Sequence, residues 1–241
     1  MLTVLLHGFW GGPVDWNPVL RTLPLGLEVW TPDLYESGPL GPHHDLKHWT
    51  EHFHAELRER SQGKPVQAVG YSMGGRLLIN ALIKKPRQFN RALVLSAYPM
   101  PMSSGVDQRI EWEMGWRTRF LEEPWEDLEE EWFEQSVFKG SQQAARRHSA
   151  VLREMLGQSL MNWSPTQHDF SADDVKSLPR AVDWAFGALD QKYVSVAKDL
   201  AKLPVQGQIT VIENAGHRLP LDATQWIANW VEVGSLAGTS Q

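Results

Sequence analysis

The chain has 241 residues, with 29 Asp and Glu against 23 Lys and Arg and a formal net charge of −6. It holds no cysteine, which excludes disulfides and thiolate metal sites and leaves the redox compartment unreadable. An acidic balance without a basic tract argues against a nucleic-acid partner, no apolar run approaches the ~18 residues of a membrane span, and the length suits one domain, with or without an insertion, whose core needs no staples.

A strand is predicted over 2–6, with no leader sequence expected before it. It runs into His7-Gly8-Phe9-Trp10-Gly11-Gly12, a Gly-rich turn able to aim the Phe9 N–H at a developing oxyanion. A helix near 16–23 and a strand near 27–31 follow, and the strand leads to Asp33. The helix expected over 45–61 carries His48, His52 and His54, with His43 and His44 just ahead of it. The 44/48 and 48/52 spacings suit metal ligation. Trp49, Phe53 and Leu57 nevertheless mark the buried stripe, and His48 and His52 lie off it, which favours a solvated face.

An apolar run predicts a strand over 65–70 and the pattern after it a helix over 73–85, so Gly70-Tyr71-Ser72-Met73-Gly74 puts a serine at a sharp strand-to-helix turn. Glycines two before and two after let the chain turn tightly and present the hydroxyl above the sheet edge, near a helix N-terminus. That is the logic of a nucleophile elbow; a Gly-rich turn with a capping serine is the plainer alternative. The Met73 N–H would be the second oxyanion donor. One turn on, Arg76 stands near the positive end of the helix, where a cation is disfavoured by up to about 1 kcal/mol. Either an anionic substrate beside the nucleophile or an ion pair with acidic residues elsewhere would offset that cost.

After a strand over 91–96 the pattern becomes acidic, Trp-rich and helical. Residues 99–178 are expected to form an inserted cap with helices over 107–122, 124–136 and 141–158, the second opened by Pro124. Trp112, Trp116, Trp125, Trp132 and Trp163 fall in it; most should glue small helices to the core and one or two should line a pocket. The acidic run from Glu122 to Glu131 reads as a solvated face with no catalytic role. Arg109, Arg117, Arg119, Arg146 and Arg147 can add positive charge to a pocket.

The strand over 180–187 leads to Asp190 and a helix over 191–202; the strand over 208–213 leads to His217 and a helix over 220–233; residues 235–241 are expected to fray. Ser, Asp and His in that order, each just beyond a strand, is what an α/β-hydrolase triad requires, because catalytic groups gather at the carboxyl ends of a parallel sheet. His217 would take the Ser72 proton and Asp190 would hold its tautomer. Asp183 lies inside a strand, and Asp33 is the rival acid. Alternating strands and helices predict an α/β-hydrolase fold: a mostly parallel, doubly wound sheet, trimmed of the usual amino-terminal hairpin, with its core in 1–98 and 179–234.

Gly70-Tyr71-Ser72-Met73-Gly74-Gly75-Arg76, then Trp116-Arg117-Thr118-Arg119-Phe120-Leu121-Glu122-Glu123-Pro124 and Trp132-Phe133-Glu134-Gln135-Ser136-Val137-Phe138, make the chain resemble the 2-succinyl-6-hydroxy-2,4-cyclohexadiene-1-carboxylate (SHCHC) synthases of menaquinone biosynthesis. The resemblance runs over most of the chain, and its cap segments are far more specific than the elbow. It implies an α/β-hydrolase fold working as a cytoplasmic, cofactor-free lyase that removes pyruvate from 2-succinyl-5-enolpyruvyl-6-hydroxy-3-cyclohexene-1-carboxylate, a small tricarboxylate. It also implies a triad of Ser72, Asp190 and His217, an oxyanion site at Phe9 and Met73, and substrate contacts from Tyr71, Arg76, Arg109 and Trp132. A further family arginine best matches Arg147, with Arg146 or Arg153 fitting a shifted gap. The loop from Pro32 to Leu40 lacks the usual Gly-His-Gly stretch, and the segment before Arg109 lacks a glutamine often found there.

The same triad can attack a carbonyl covalently, so a serine ester or carbon–carbon bond hydrolase acting on a small acidic substrate is the alternative. A non-catalytic binding protein of this fold is disfavoured by the intact Ser, Asp and His.

Overall fold

Strands that are apolar along their whole length, such as Leu2–Leu6 (β1) and Val66–Tyr71 (β3), have both faces covered, and both are buried throughout. A computed structural model of the protein describes residues 1–102, 104–143, 146–179 and 181–237. With Glu28–Trp30 (β2), Arg91–Leu95 (β4), Val182–Gly187 (β5) and Ile209–Ile212 (β6), these strands form one sheet in the order β2-β1-β3-β4-β5-β6, every pair parallel. The strand order reverses between β1 and β3, and the loops leaving those two strands carry the Phe9 turn and Ser72, so the site sits at a topological switch point.

Helices cover both faces. Leu46–Ser61 (α2), Met73–Lys84 (α3) and Gln191–Leu200 (α8) share one apolar layer with the cap, whereas Asn17–Thr22 (α1), Leu219–Asp222 (α9) and Thr224–Ala237 (α10) build the other. The cap lies between β4 and β5 and comprises Val106–Glu122 (α4), Trp125–Glu134 (α5), Ala150–Asn162 (α6) and the short Ala172–Lys176 (α7).

Two expectations need correction. The third cap helix begins at Ala150 rather than 141, because Ser149 caps it by accepting the Leu152 N–H and the residues ahead of it bond to the core instead. Residues 235–237 do not fray: α10 runs through Ala237, and the buried Ser235 hydroxyl accepts a hydrogen bond from Gln67; residues 238–241 lie outside the described residues. His54, on α2, is buried, with Gln88 Oε1 2.6 Å from its Nδ1. Among the described residues no group of three His, Cys, Asp or Glu is placed to hold a metal, and no helix is long and apolar enough to cross a membrane.

Candidate active site

The elbow is strained and crowded, and that is why its residues are small. Ser72 sits at φ 53°, ψ −112°, in a region non-glycine residues rarely occupy. A Cβ on Gly70 would stand 2.6 Å from the Gly74 carbonyl oxygen, and one on Gly75 2.6 Å from the Ala97 Cβ. Gly74 is tighter still, packed on the carbonyl oxygens of Leu6 and His7 at the end of β1.

The Ser72 hydroxyl oxygen lies 3.1 Å from His217 Nε2, and His217 Nδ1 lies 2.7 Å from Asp190 Oδ2. His217 and Asp190 are buried, while Ser72 is only partly covered. Asp190 also caps α8, its other oxygen accepting the Tyr193 N–H at 3.3 Å, which places the carboxylate at the positive end of a helix. Leu189 N–H donates to the Ala215 carbonyl, so the loops carrying Asp190 and His217 are joined directly. Burial pulls the His217 pKa below its ordinary value, against the opposing pull of Asp190. A neutral imidazole beside the serine hydroxyl is the form that accepts a proton.

Phe9 and Met73, the two residues expected to supply oxyanion donors, line the same cavity as Ser72. Met73 is the first residue of α3, where helix geometry leaves the N–H without an intrahelical acceptor. Gly11 N–H donates to Gly8 O and closes a turn in which Phe9 is the first central residue, so the turn makes no use of the Phe9 N–H. Trp10, the next residue, holds φ 54° and buries its ring against Phe120, Trp125 and Phe133 of the cap.

Above the serine is a cavity of about 380 Å³, walled by Phe9, Tyr71, Met73, Tyr98, Trp112, Trp132, Phe138 and Tyr193 and bordered by Arg76, Arg109, Arg146 and Lys192. Its acidic lining residue is Asp15, which pairs with Arg146 at 3.2 Å. Arg109 is held by the buried Glu113 at 2.7 Å. Arg76 makes no ion pair with the acidic cap among the described residues; its Nη1 donates to the Trp163 carbonyl at 2.6 Å. Burial draws the Arg76 pKa down to about 10, with Arg109 adding to the effect. The Lys192 ammonium is lowered by the same causes, burial first and then Arg109.

Other candidates stand elsewhere. Asp33, the rival acid, is far from His217 in role: burial raises its pKa, but hydrogen bonds with His7 and Arg147 overcome that and hold it well below the usual carboxylate range. Arg147 does not line the cavity, because its guanidinium is gripped by Asp33 and the Gly11 carbonyl; Arg146 takes the cavity position. Arg153 donates to the carbonyls of Phe120 and Glu123 and so closes the end of α4. Arg119 pairs with Glu123 and Glu131, and Arg117 packs on Gly157. Of the five cap tryptophans, Trp112 and Trp132 line the cavity. Lys192, Tyr193 and Asp15 escape sequence reasoning; for Lys192 the available signal is its place in the first turn of the helix that Asp190 caps.

A family model described as the alpha/beta hydrolase family matches residues 3–230. The chain belongs to that family. Within it, the chain is 30% identical over 159 residues to an SHCHC synthase of Enterobacter sp. (strain 638), a match covering 62% of this chain and 58% of that relative. It is 23% identical over 233 residues to a Haemophilus influenzae protein described as a putative SHCHC synthase, covering 88% and 92%. Among solved structures, MenH from S. aureus superposes with a TM-score of 0.83 at 17% identity, over 100% of this chain and 95% of that one. The carboxylesterase CesB from Bacillus subtilis gives 0.62 at 17%, over 95% and 81%. At these identities the structures speak for the hydrolase fold and leave the reaction open.

Proposed function

We propose that this alpha/beta hydrolase is an SHCHC synthase, a lyase that eliminates pyruvate from 2-succinyl-5-enolpyruvyl-6-hydroxy-3-cyclohexene-1-carboxylate. The observation that carries the reading is the set of four cations, Arg76, Arg109, Arg146 and Lys192, around a cavity that opens on Ser72 in an otherwise acidic chain. A substrate with three carboxylates suits such a rim, since guanidinium forks bind carboxylates with charge-assisted bonds. Asp15 and Glu113 each neutralise one arginine, which leaves Arg76 and Lys192 as the cations with the strongest call for an anion.

In this reading His217, oriented by Asp190, takes the Ser72 proton, and the serine oxygen abstracts the proton alpha to the succinyl carbonyl. Phe9 and Met73 N–H groups stabilise the enolate oxygen as it forms. The enolate electrons return to form a double bond from the succinyl-bearing ring carbon to its neighbour, the existing ring double bond shifts one position toward the carbon that bears the enolpyruvyl group, and the bond from that carbon to the enolpyruvyl oxygen breaks. The leaving enolate is protonated and becomes pyruvate, so no acyl-enzyme and no cofactor are required. Tyr71 and Trp132 supply the walls against which the substrate ring packs.

The test is pyruvate release from substrate generated in situ by the preceding enzyme of the route, followed through a lactate dehydrogenase couple. Rapid release that is lost in Ser72→Ala supports the lyase. No release above background, with Ser72-dependent cleavage of small esters, would instead make the protein a serine hydrolase.

A further inference from the structure

The segment Ser136–Gln142, which links α5 to the rest of the cap, lies across both loops that carry the Asp190–His217 pair. Gly140, at φ 80°, packs on Leu189, the residue before Asp190; a Cβ there would stand 3.1 Å from the Leu189 Cβ. Gly216, the residue before His217, packs on Ser141 and Gly140 so closely that a Cβ would stand 2.9 Å from the Ser141 nitrogen. The Phe138 ring meets the His217 ring edge-on, at 5.7 Å and 81°.

The contact is bonded as well as packed. Arg218 N–H donates to the Ser141 hydroxyl at 3.1 Å, and its Nη1 donates to the Gln142 carbonyl at 2.8 Å. Asp222 bridges the two segments: one oxygen accepts the Gln142 N–H at 3.0 Å and the other the Gly216 N–H at 3.0 Å. Gln142 Nε2 adds a bond to the Leu221 carbonyl at 3.2 Å. Arg218 is buried, and its guanidinium lies 4.3 Å from the Phe133 ring centre and 4.8 Å from that of Phe138. It forms no carboxylate ion pair among the described residues, while its Nε and Nη2 are buried without partners. Burying a guanidinium so poorly satisfied costs stability, and a fold under no other demand would place an apolar side chain between two phenylalanines.

We propose that Arg218 and Asp222 are positioning residues, which join the cap segment Ser136–Gln142 to the His217 loop so that the general base is held in line with Ser72 by the cap itself. The inference rests on the triad reading above but not on the identity of the substrate. Neither residue touches the serine; each acts through the loop that holds His217.

The test reads the base directly, through the rate at which a fluorophosphonate labels Ser72 in the full-length protein, with labelling located by mass spectrometry. Asp222→Asn keeps the shape but turns one acceptor into a donor facing an N–H, and Arg218→Met keeps the stacked stem while removing the bond to Gln142. Both should slow labelling tenfold or more and should lower kcat for pyruvate release with KM within about twofold. The far-downfield proton signal of the His217–Asp190 hydrogen bond should broaden or move in both. Labelling and proton signal unchanged in both variants would overturn the proposal. Should either variant fail to fold, Ser141→Ala, which removes only the acceptor of the Arg218 N–H, decides: labelling slowed threefold or more supports the joint and an unchanged rate overturns it. Wild-type protein that is not labelled at Ser72 would sink the triad and this inference together. Variant-sensitive labelling without pyruvate release supports the joint and sinks only the lyase.

Discussion

Arg76 Nη1 donates to the carbonyl oxygen of Trp163, at 2.6 Å, tying the first turns of the elbow helix to the cap while the rest of its guanidinium borders the cavity. A cation at that end of a helix is electrostatically misplaced, and a carbonyl is weaker compensation than a carboxylate. The expectation is that Arg76→Met lowers kcat/KM for the tricarboxylate roughly 10- to 100-fold, the loss of one charged hydrogen bond at about 1.5–3 kcal/mol. Neutral ester cleavage, measured in parallel, should hardly change; equal losses on both substrates would count against an anion-binding cavity.

The pH profile should carry the mark of His217. In the proposed mechanism His217 works as the neutral imidazole, and burial sets its pKa below 6.5 despite Asp190. The acid limb of kcat/KM should therefore have its midpoint below pH 6.5, with activity retained where an ordinary histidine would already be protonated. Asp190→Asn, which removes the anion that orients the ring, should cost roughly 10²- to 10⁴-fold in kcat. A limb at or above pH 6.5 would contradict the description of the base.

Two histidines outside the lining of the cavity should govern acid stability. Burial pulls His168 down from 6.5 to about 3, with Arg76 contributing, and His54 to about 4. Below 6.5 the unfolded chain binds protons that the folded one refuses, so this contribution is complete above pH 6.5 and disappears as pH falls toward 3–4. Thermal unfolding midpoints measured from pH 7 to 4 should drop, and the drop should be shallower in His168→Asn. Parallel curves for the two proteins would remove His168 from the explanation.

Neighbouring arginines should behave differently. Arg147 is 47% exposed in its pair with Asp33, whose more buried carboxylate keeps the Tyr35 N–H, and Arg147→Ala should cost about 1–3 kcal/mol of stability, with KM unchanged. Arg146 is 7% exposed in its pair with Asp15, so Arg146→Ala strands a carboxylate at the cavity wall and should cost about 3 kcal/mol or more and raise KM. Denaturant unfolding and steady-state kinetics on the pair check both halves; a KM effect confined to Arg147→Ala would reverse the assignment.

The meeting of Ser72, Asp190 and His217 was legible in the sequence because each lies just beyond a strand whose apolar run is unmistakable, and the Gly spacing around Ser72 answers to contacts that admit no side chain. The start of the third cap helix was not legible. Residues 146–149 have a helical composition, yet Arg146 and Arg147 are drawn to Asp15 and Asp33, partners more than a hundred residues away, and Ser149 begins the helix after them. Lys192 was invisible for a related reason: one lysine on an amphipathic helix reads as solvated unless the neighbouring loops are already known. Arg76 was legible as an anomaly, since its discomfort is local to its own helix.

β4 and β5 are bonded neighbours, with Leu95 opposite Ala185, although the whole cap is threaded between them. In polymer terms this is a long loop closed at its base, and closure entropy rises by only about 0.6 kcal/mol for each doubling of loop length. Replacing a short crossover with an entire helical lobe thus adds little to the difficulty of pairing the strands, and the burial of Trp10 under that lobe exceeds it. The sheet can consequently host lobes of different size and chemistry at the same edge, and the reaction performed there is open to change by exchange of one contiguous stretch of chain.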